Sequence, residues 1–145
     1  MIFTAGYSGH TVDELRRAAE DLNAAVVDIR YSPLSRRPEW RRERLQTALG
    51  DSYFWCHHLG NMNYKGNGPI EIAHPDCGVR FVRYVLRRYF PHMILICGCR
   101  KPATCHRTVV ATLLRDRGFS VEELVWPEPG REEEVYEFAA RQQQA

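Results

Sequence analysis

Cysteine, histidine and arginine meet within one short stretch, Cys97-Gly-Cys-Arg-Lys-Pro-Ala-Thr-Cys-His-Arg107. It joins an apolar run, Met93-Ile-Leu-Ile96, to a helical pattern that reaches Gly118. A strand-to-helix turn gathers backbone N–H groups at a helix N-terminus, where the dipole favours an anion or a thiolate. Cys97 and Cys105 are therefore candidate nucleophiles, each needing nearby N–H groups or Arg100 and Arg107 to lower its pKa. The position at or beside the helix N-cap favours Cys105, whereas a strand-end cysteine such as Cys97 is commonly buried and inert. His106 is placed to shuttle a proton or to donate to a ligand oxygen. Neighbours on a helix point apart, so adjacency alone does not make it the base of Cys105. Arg107 suits an anion, or an ion pair with Asp28.

Asp28 and Arg30 lie two apart at the end of a second apolar run, Ala25-Val-Val-Asp-Ile29, and so share one side of a strand. They form either an internal ion pair that orders the following loop or, with Ser35 and Arg36 of that loop, part of a grip on phosphate or carboxylate. Gly6-Tyr7-Ser8-Gly9 is a small-residue turn ahead of a helix. Thr11 has the better capping position there, which leaves Tyr7 and Ser8 to line a pocket. Cys97, Cys99, Cys105 and His106, and likewise Cys56, His57 and His58, are soft ligand types, but neither set has the paired Cys-x2-Cys spacing of a structural zinc site. No metal ligand and no cofactor is assigned from the sequence.

These residues need a scaffold, and composition bounds it. The chain has 145 residues, 44% of them hydrophobic and 26% charged, which fits one soluble domain with one core. No apolar run is long enough for a membrane span, and the first residues lack the pattern of a signal peptide, so a cytoplasmic location is expected. Five cysteines are an odd number, and reduced thiols are the default. Only Lys65 and Lys101 are lysines among 20 basic residues, yet the net charge is +2, which gives no support for nucleic acid as a partner. Arg37, Arg41 and Arg44 are interspersed with Glu39 and Glu43, as on a solvated, salt-bridged face.

Strand patterns at 2–5, 25–29, 53–56, 93–97 and 120–125 alternate with helical patterns. Helices are expected over 12–22, from Pro38 to Gly50, from Val79 to Tyr89, over 106–117 and over 132–141. Residues 59–76, with several glycines, read as a long irregular loop of the kind that binds or covers a ligand. Such alternation predicts an α/β fold: a single three-layer domain over 1–145 with a mostly parallel sheet of about five strands and helices on both faces. Ligands of such sheets collect at the carboxyl ends of the strands, which places the Tyr7, Arg30, His57 and Cys97 segments on one edge.

Thr4-x-Gly-Tyr-Ser8, Val27-Asp-Ile-Arg30 with Pro33 and Ser35-Arg36, Leu59-Gly60, and Leu95-Ile-Cys97 with Cys105-His-Arg107 occur in this order. In these motifs the chain resembles the domain-of-unknown-function 488 family of small bacterial proteins, a label that carries no established reaction. Members of that family usually have an acidic residue where this chain has Cys99, so the resemblance implies no carboxylate role there. Val27-Asp-Ile-Arg30, Ile96-Cys97 and Gly118-Phe119 are also similar in arrangement to the corresponding pieces of rhodanese domains, although the rhodanese catalytic loop is shorter and differently composed.

The expectation is a small enzyme-like domain, a thiolate-dependent transferase or hydrolase, that binds a small anionic ligand of phosphorylated or nucleotide-like type at the carboxyl edge of its sheet. Arg30, Arg36 and Arg107 would hold the anion, Cys97 or Cys105 would act as thiolate, and His106 would move the proton. The alternatives are a non-catalytic anion- or partner-binding module with structural cysteines, and a metal-dependent Cys/His site. Substrate, oligomeric state and the role of Cys99 are not legible.

Overall fold

The computed structural model describes residues 1–66, 68–99 and 102–127. The helix expected over 132–141 lies outside the described residues. Five strands, β1 (Ile2–Gly6), β2 (Ala24–Asp28), β3 (Tyr53–Trp55), β4 (His92–Cys97) and β5 (Val121–Glu123), form one sheet in the order β3-β2-β4-β1-β5. Every pairing is parallel. Four helices, α1 (Val12–Leu22), α2 (Arg42–Leu49), α3 (Pro75–Arg88) and α4 (His106–Asp116), connect the strands. The described residues thus form the α/β domain expected, and among them no helix is long and apolar enough to cross a membrane.

Strand alternation divides the core between the two faces. Val26, Ile94 and Ile96 point with Ala5 toward Leu15, Ala18 and Leu45 of α1 and α2. Val27, Met93, Leu95 and Cys97 join Val79, Val82, Val110 and Leu114 of α3 and α4 on the opposite face. Burial of each such aliphatic side chain contributes about 1.5–3 kcal/mol, so β4, buried on both faces, is the strand on which the sheet is organised.

Local signals set most boundaries. Thr11 caps α1 by accepting from Glu14 N at 3.1 Å, and Asn23 closes it in the left-handed region at φ 50°. The Glu14 carboxylate takes His10 Nδ1 at 2.7 Å, so the capping box is only half formed. Two expectations need correction. The helix placed from Pro38 is a 3-10 turn, Pro38–Trp40, separated from α2 by Arg41 in extended conformation. The break follows from Trp40, whose buried ring stacks on Tyr7 and whose carbonyl accepts Arg30 Nη2 at 2.7 Å instead of a helical N–H. α3 begins at Pro75, earlier than its apolar positions suggest, because proline suits the first turn. The loop 59–76 accordingly loses its last residues to α3.

Asp28 ends β2 fully buried and is held by Tyr53 across the β2–β3 pair: Tyr53 Oη donates to Asp28 Oδ2 at 2.6 Å. Burial, followed by the Asp28 charge, pushes the Tyr53 phenol up, so it stays a donor. Tyr53→Phe is expected to cost about 1.5–3 kcal/mol, the range for a buried hydrogen bond to a charged group, read as a lowered midpoint in urea unfolding. A loss within error of zero would mean that solvent replaces the phenol.

Candidate functional site

Both strands beside β4 send their chains to the α1/α2 face, whereas β4 sends its own chain to α4 on the other face. Loops that part in opposite directions leave a crevice at the carboxyl end of the strand between them. Cys97 ends β4 at that point, and Cys105 caps α4 across the loop. The loop brings them together: Cys97 Sγ and Cys105 Sγ are 2.8 Å apart, and each residue is 1% exposed. Cys99 completes the group, the three sulfurs lying within 4.8 Å of one another, and Cys99 alone of the three is exposed.

Helix capping orders the charges. Cys105 has the extended backbone of an N-cap, and its sulfur accepts Arg107 N at 3.5 Å. Because Cys105 precedes the first helical turn, it and His106 are not two neighbours on one helix surface, and His106 Nδ1 lies 3.9 Å from the Cys105 sulfur. His106 Nε2 is 2.8 Å from the Ile29 carbonyl oxygen, which only accepts, so Nε2 carries a hydrogen, and in the neutral ring Nδ1 is the acceptor. Hydrogen bonds from Cys97 and then Cys99 hold the Cys105 thiol well below the ordinary thiol range, against the effect of burial. The same bond pushes Cys97 up, helped by Cys99, burial and the Cys105 charge. Cys99 is also raised, first through Cys105. The cluster therefore gives up one proton readily and resists losing a second.

Arg107 is 1% exposed and knits this group to the sheet edge. Its guanidinium donates to Glu123 of β5, to Cys99 O at 2.7 Å and to Cys97 Sγ at 3.5 Å. Glu123 also accepts Thr4 Oγ1 at 2.6 Å. Its partner is thus Glu123 and not Asp28. Gly6 is needed at this crossing, since a Cβ there would run into Cys99 O and Arg107 Nη1.

Arg30 is similarly engaged. Its Nε and Nη2 donate to the two oxygens of Asp28 at 2.8 and 2.6 Å, Nη2 also reaches Trp40 O, and Nη1 donates to Tyr7 Oη at 3.2 Å. The internal ion pair is present, and the arginine still shows one edge to a pocket of about 300 Å³. Tyr7, Arg30, Cys97, Cys99 and His106 line that pocket, together with Asn61 and Tyr64 from the loop 59–76. Cys105 sits behind this wall. Ser8 faces a different hollow, shared with His10, Glu123 and Trp126. Ser35 accepts Arg37 N at 3.2 Å within its own turn, and Arg36 is exposed beside it. Arg100 lies outside the described residues.

Glu123, Tyr53 and the pocket residues Asn61 and Tyr64 were missed by sequence reasoning. The first two depend on which strands become neighbours, and only the expectation that the long loop covers a ligand pointed to the others. A second group also forms at the end of β3, where His57, His58 and His74 offer ring nitrogens within 4.8 Å of one another. Burial, then His57 and His74, lower the His58 pKa. Nearby, burial pushes the Cys56 thiol up to about 11.

No curated protein and no solved structure matches the chain. A family model described as a domain of unknown function, DUF488, matches residues 12–68.

Proposed function

We propose that this protein is a thiol-dependent enzyme, a transferase or hydrolase, acting on a small molecule held in the pocket at the end of β4. The carrying observation is the contact between Cys97 and Cys105 on a helix N-terminus, with the His106 tautomer fixed by Ile29 O. The resting charge resides on Cys105, and Cys97 in the pocket wall is the sulfur that a bound molecule meets. As Cys97 Sγ attacks an electrophilic centre, its proton passes to Cys105, and the leaving group departs as the bond to sulfur forms. His106 Nδ1 then takes up the proton from Cys105 and gives it to the leaving group; water or a second acceptor, deprotonated at the same nitrogen, displaces the group from Cys97 Sγ, which regains its proton.

The ligand is small and carries an anionic or strongly polar group, of phosphorylated or nucleotide-like type. Tyr7, Tyr31, Leu34 and Tyr64 offer it an apolar wall, and Asn61 and the open edge of Arg30 offer donors. Asp28 already balances the Arg30 charge, so an anion there is held by hydrogen bonds more than by net attraction.

Alkylation of each cysteine across pH, resolved by mass spectrometry on reduced, metal-stripped protein, tests the thiolate. One cluster thiol, Cys105, is expected to react at neutral pH at a rate already near its plateau, while exposed Cys77 serves as internal reference. Slow reaction of every cluster thiol, climbing only in alkali, would leave a binding module with structural cysteines. Three sulfurs around one vertex also favour a second reading, a thiolate metal site. Metal retained by the tag-free protein, and lost in Cys97→Ser, would select it.

A further inference from the structure

The His57, His58 and His74 group lies at the end of β3, apart from the thiols, and the thiol reading does not use it. We propose that these three imidazoles form a binding site for a divalent transition-metal ion of the zinc type. Imidazole suits zinc, copper and nickel, and three protein nitrogens with a fourth position left to solvent make an open centre.

Three observations carry the assignment. First, the ring nitrogens already lie within 4.8 Å of one another, so small side-chain rotations bring them onto one ion. Second, His58 Nδ1 is buried and has no hydrogen-bond partner among the described residues. Such a nitrogen is costly unless something meets it, and a coordinate bond is one such partner.

Third, the backbone fixes the three residues relative to one another before any ligand arrives. His57 and His58 sit in a 3-10 turn, His57–Leu59, and His74 is the residue before α3. His74 N donates to His58 O at 2.9 Å, Ala73 N to Gly60 O at 3.0 Å, and Gly60 N to His57 O at 2.9 Å. Leu59, fully buried, clamps the turn onto α3 at Gly78, where any Cβ would strike its side chain. A site prepared in this way loses little entropy on binding.

Ring packing alone would also bring imidazoles together, since the centroids of His57 and His58 are 4.3 Å apart. It does not account for the unpartnered nitrogen.

The test is a titration of tag-free, chelator-treated full-length protein with Co(II), followed by visible absorption, and with Zn(II) against a chromophoric chelator. One equivalent of Co(II) is expected to give ligand-field bands with no sulfur-to-metal charge-transfer band in the near ultraviolet. That signal should persist when Cys97, Cys99 and Cys105 are all serine. In His74→Ala, an exposed position whose loss does not threaten the core, zinc affinity should fall by more than about tenfold. His58→Gln gives a second check from the turn itself. Absence of binding, unchanged affinity in His74→Ala, or a cobalt signal that disappears with the cysteines would each overturn the assignment. None of these outcomes bears on the alkylation of Cys105, so failure here is distinguishable from failure of the thiol chemistry.

Discussion

Asp28→Asn is expected to lower stability by about 3–5 kcal/mol, the cost of leaving a buried charge without its partner. Asp28 is fully buried, and its two oxygens receive Arg30 N, Nε and Nη2 as well as Tyr53 Oη. An asparagine of the same shape turns one of those acceptors into a donor that faces donors. Arg30, itself only 8% exposed, then holds its positive charge with no counter-ion. The loss reaches the pocket, because Arg30 also carries Tyr7 Oη and Trp40 O, and the Tyr7 and Trp40 rings stack at 4.1 Å. Equilibrium urea unfolding measures the effect. The double replacement Asp28→Leu with Arg30→Met is expected to be milder than Asp28→Asn alone, since it removes both charges together. If the single variant loses less than about 1 kcal/mol, in the range of surface pairs, the network is solvated and does not organise the site.

The ion pair was legible because two charged residues at the end of an apolar strand have few affordable environments. What the spacing left open was whether the pair closes on itself or grips a ligand, and most donors of Arg30 close on Asp28, Trp40 and Tyr7. The sheet was legible for a similar reason: runs such as Ala25-Val-Val and Met93-Ile-Leu-Ile96 are apolar on both sides and suit a strand covered twice. Strand order was not. It sets Glu123 of β5 next to Thr4 of β1 and within reach of Arg107, a contact between residues 16 apart that no local pattern encodes. His106 shows a further limit. Helical geometry argued against its meeting Cys105, but the cap residue lies outside helical geometry, and that one-residue boundary decides the contact.

Cys105→Ser is expected to lower the summed alkylation rate of the cluster at neutral pH by about tenfold or more, because it removes the thiolate itself. An ordinary thiol with a pKa of about 8.5 is only a few per cent ionised at pH 7, so loss of a thiolate already formed at that pH lowers the reactive fraction by more than tenfold. The lower intrinsic nucleophilicity of a weakly basic thiolate gives part of this back. Serine at 105 still accepts Arg107 N and can cap α4, so the fold should survive the change. It also removes the hydrogen bond and the negative charge that raise Cys97, yet burial continues to hold Cys97 up, and no easily ionised sulfur remains. Cys97→Ser makes the contrast. Its hydroxyl still donates to Cys105, so the thiolate and its neutral-pH reactivity should be largely kept. The reverse pattern, with Cys97→Ser silencing the cluster and Cys105→Ser sparing it, would put the charge on the strand-end sulfur and assign Cys105 the donor's role. His106→Gln separates the imidazole from the cap. The amide can still donate to Ile29 O but has no basic nitrogen, so a change of only a few fold would mean that the sulfurs and the helix terminus hold the thiolate without it.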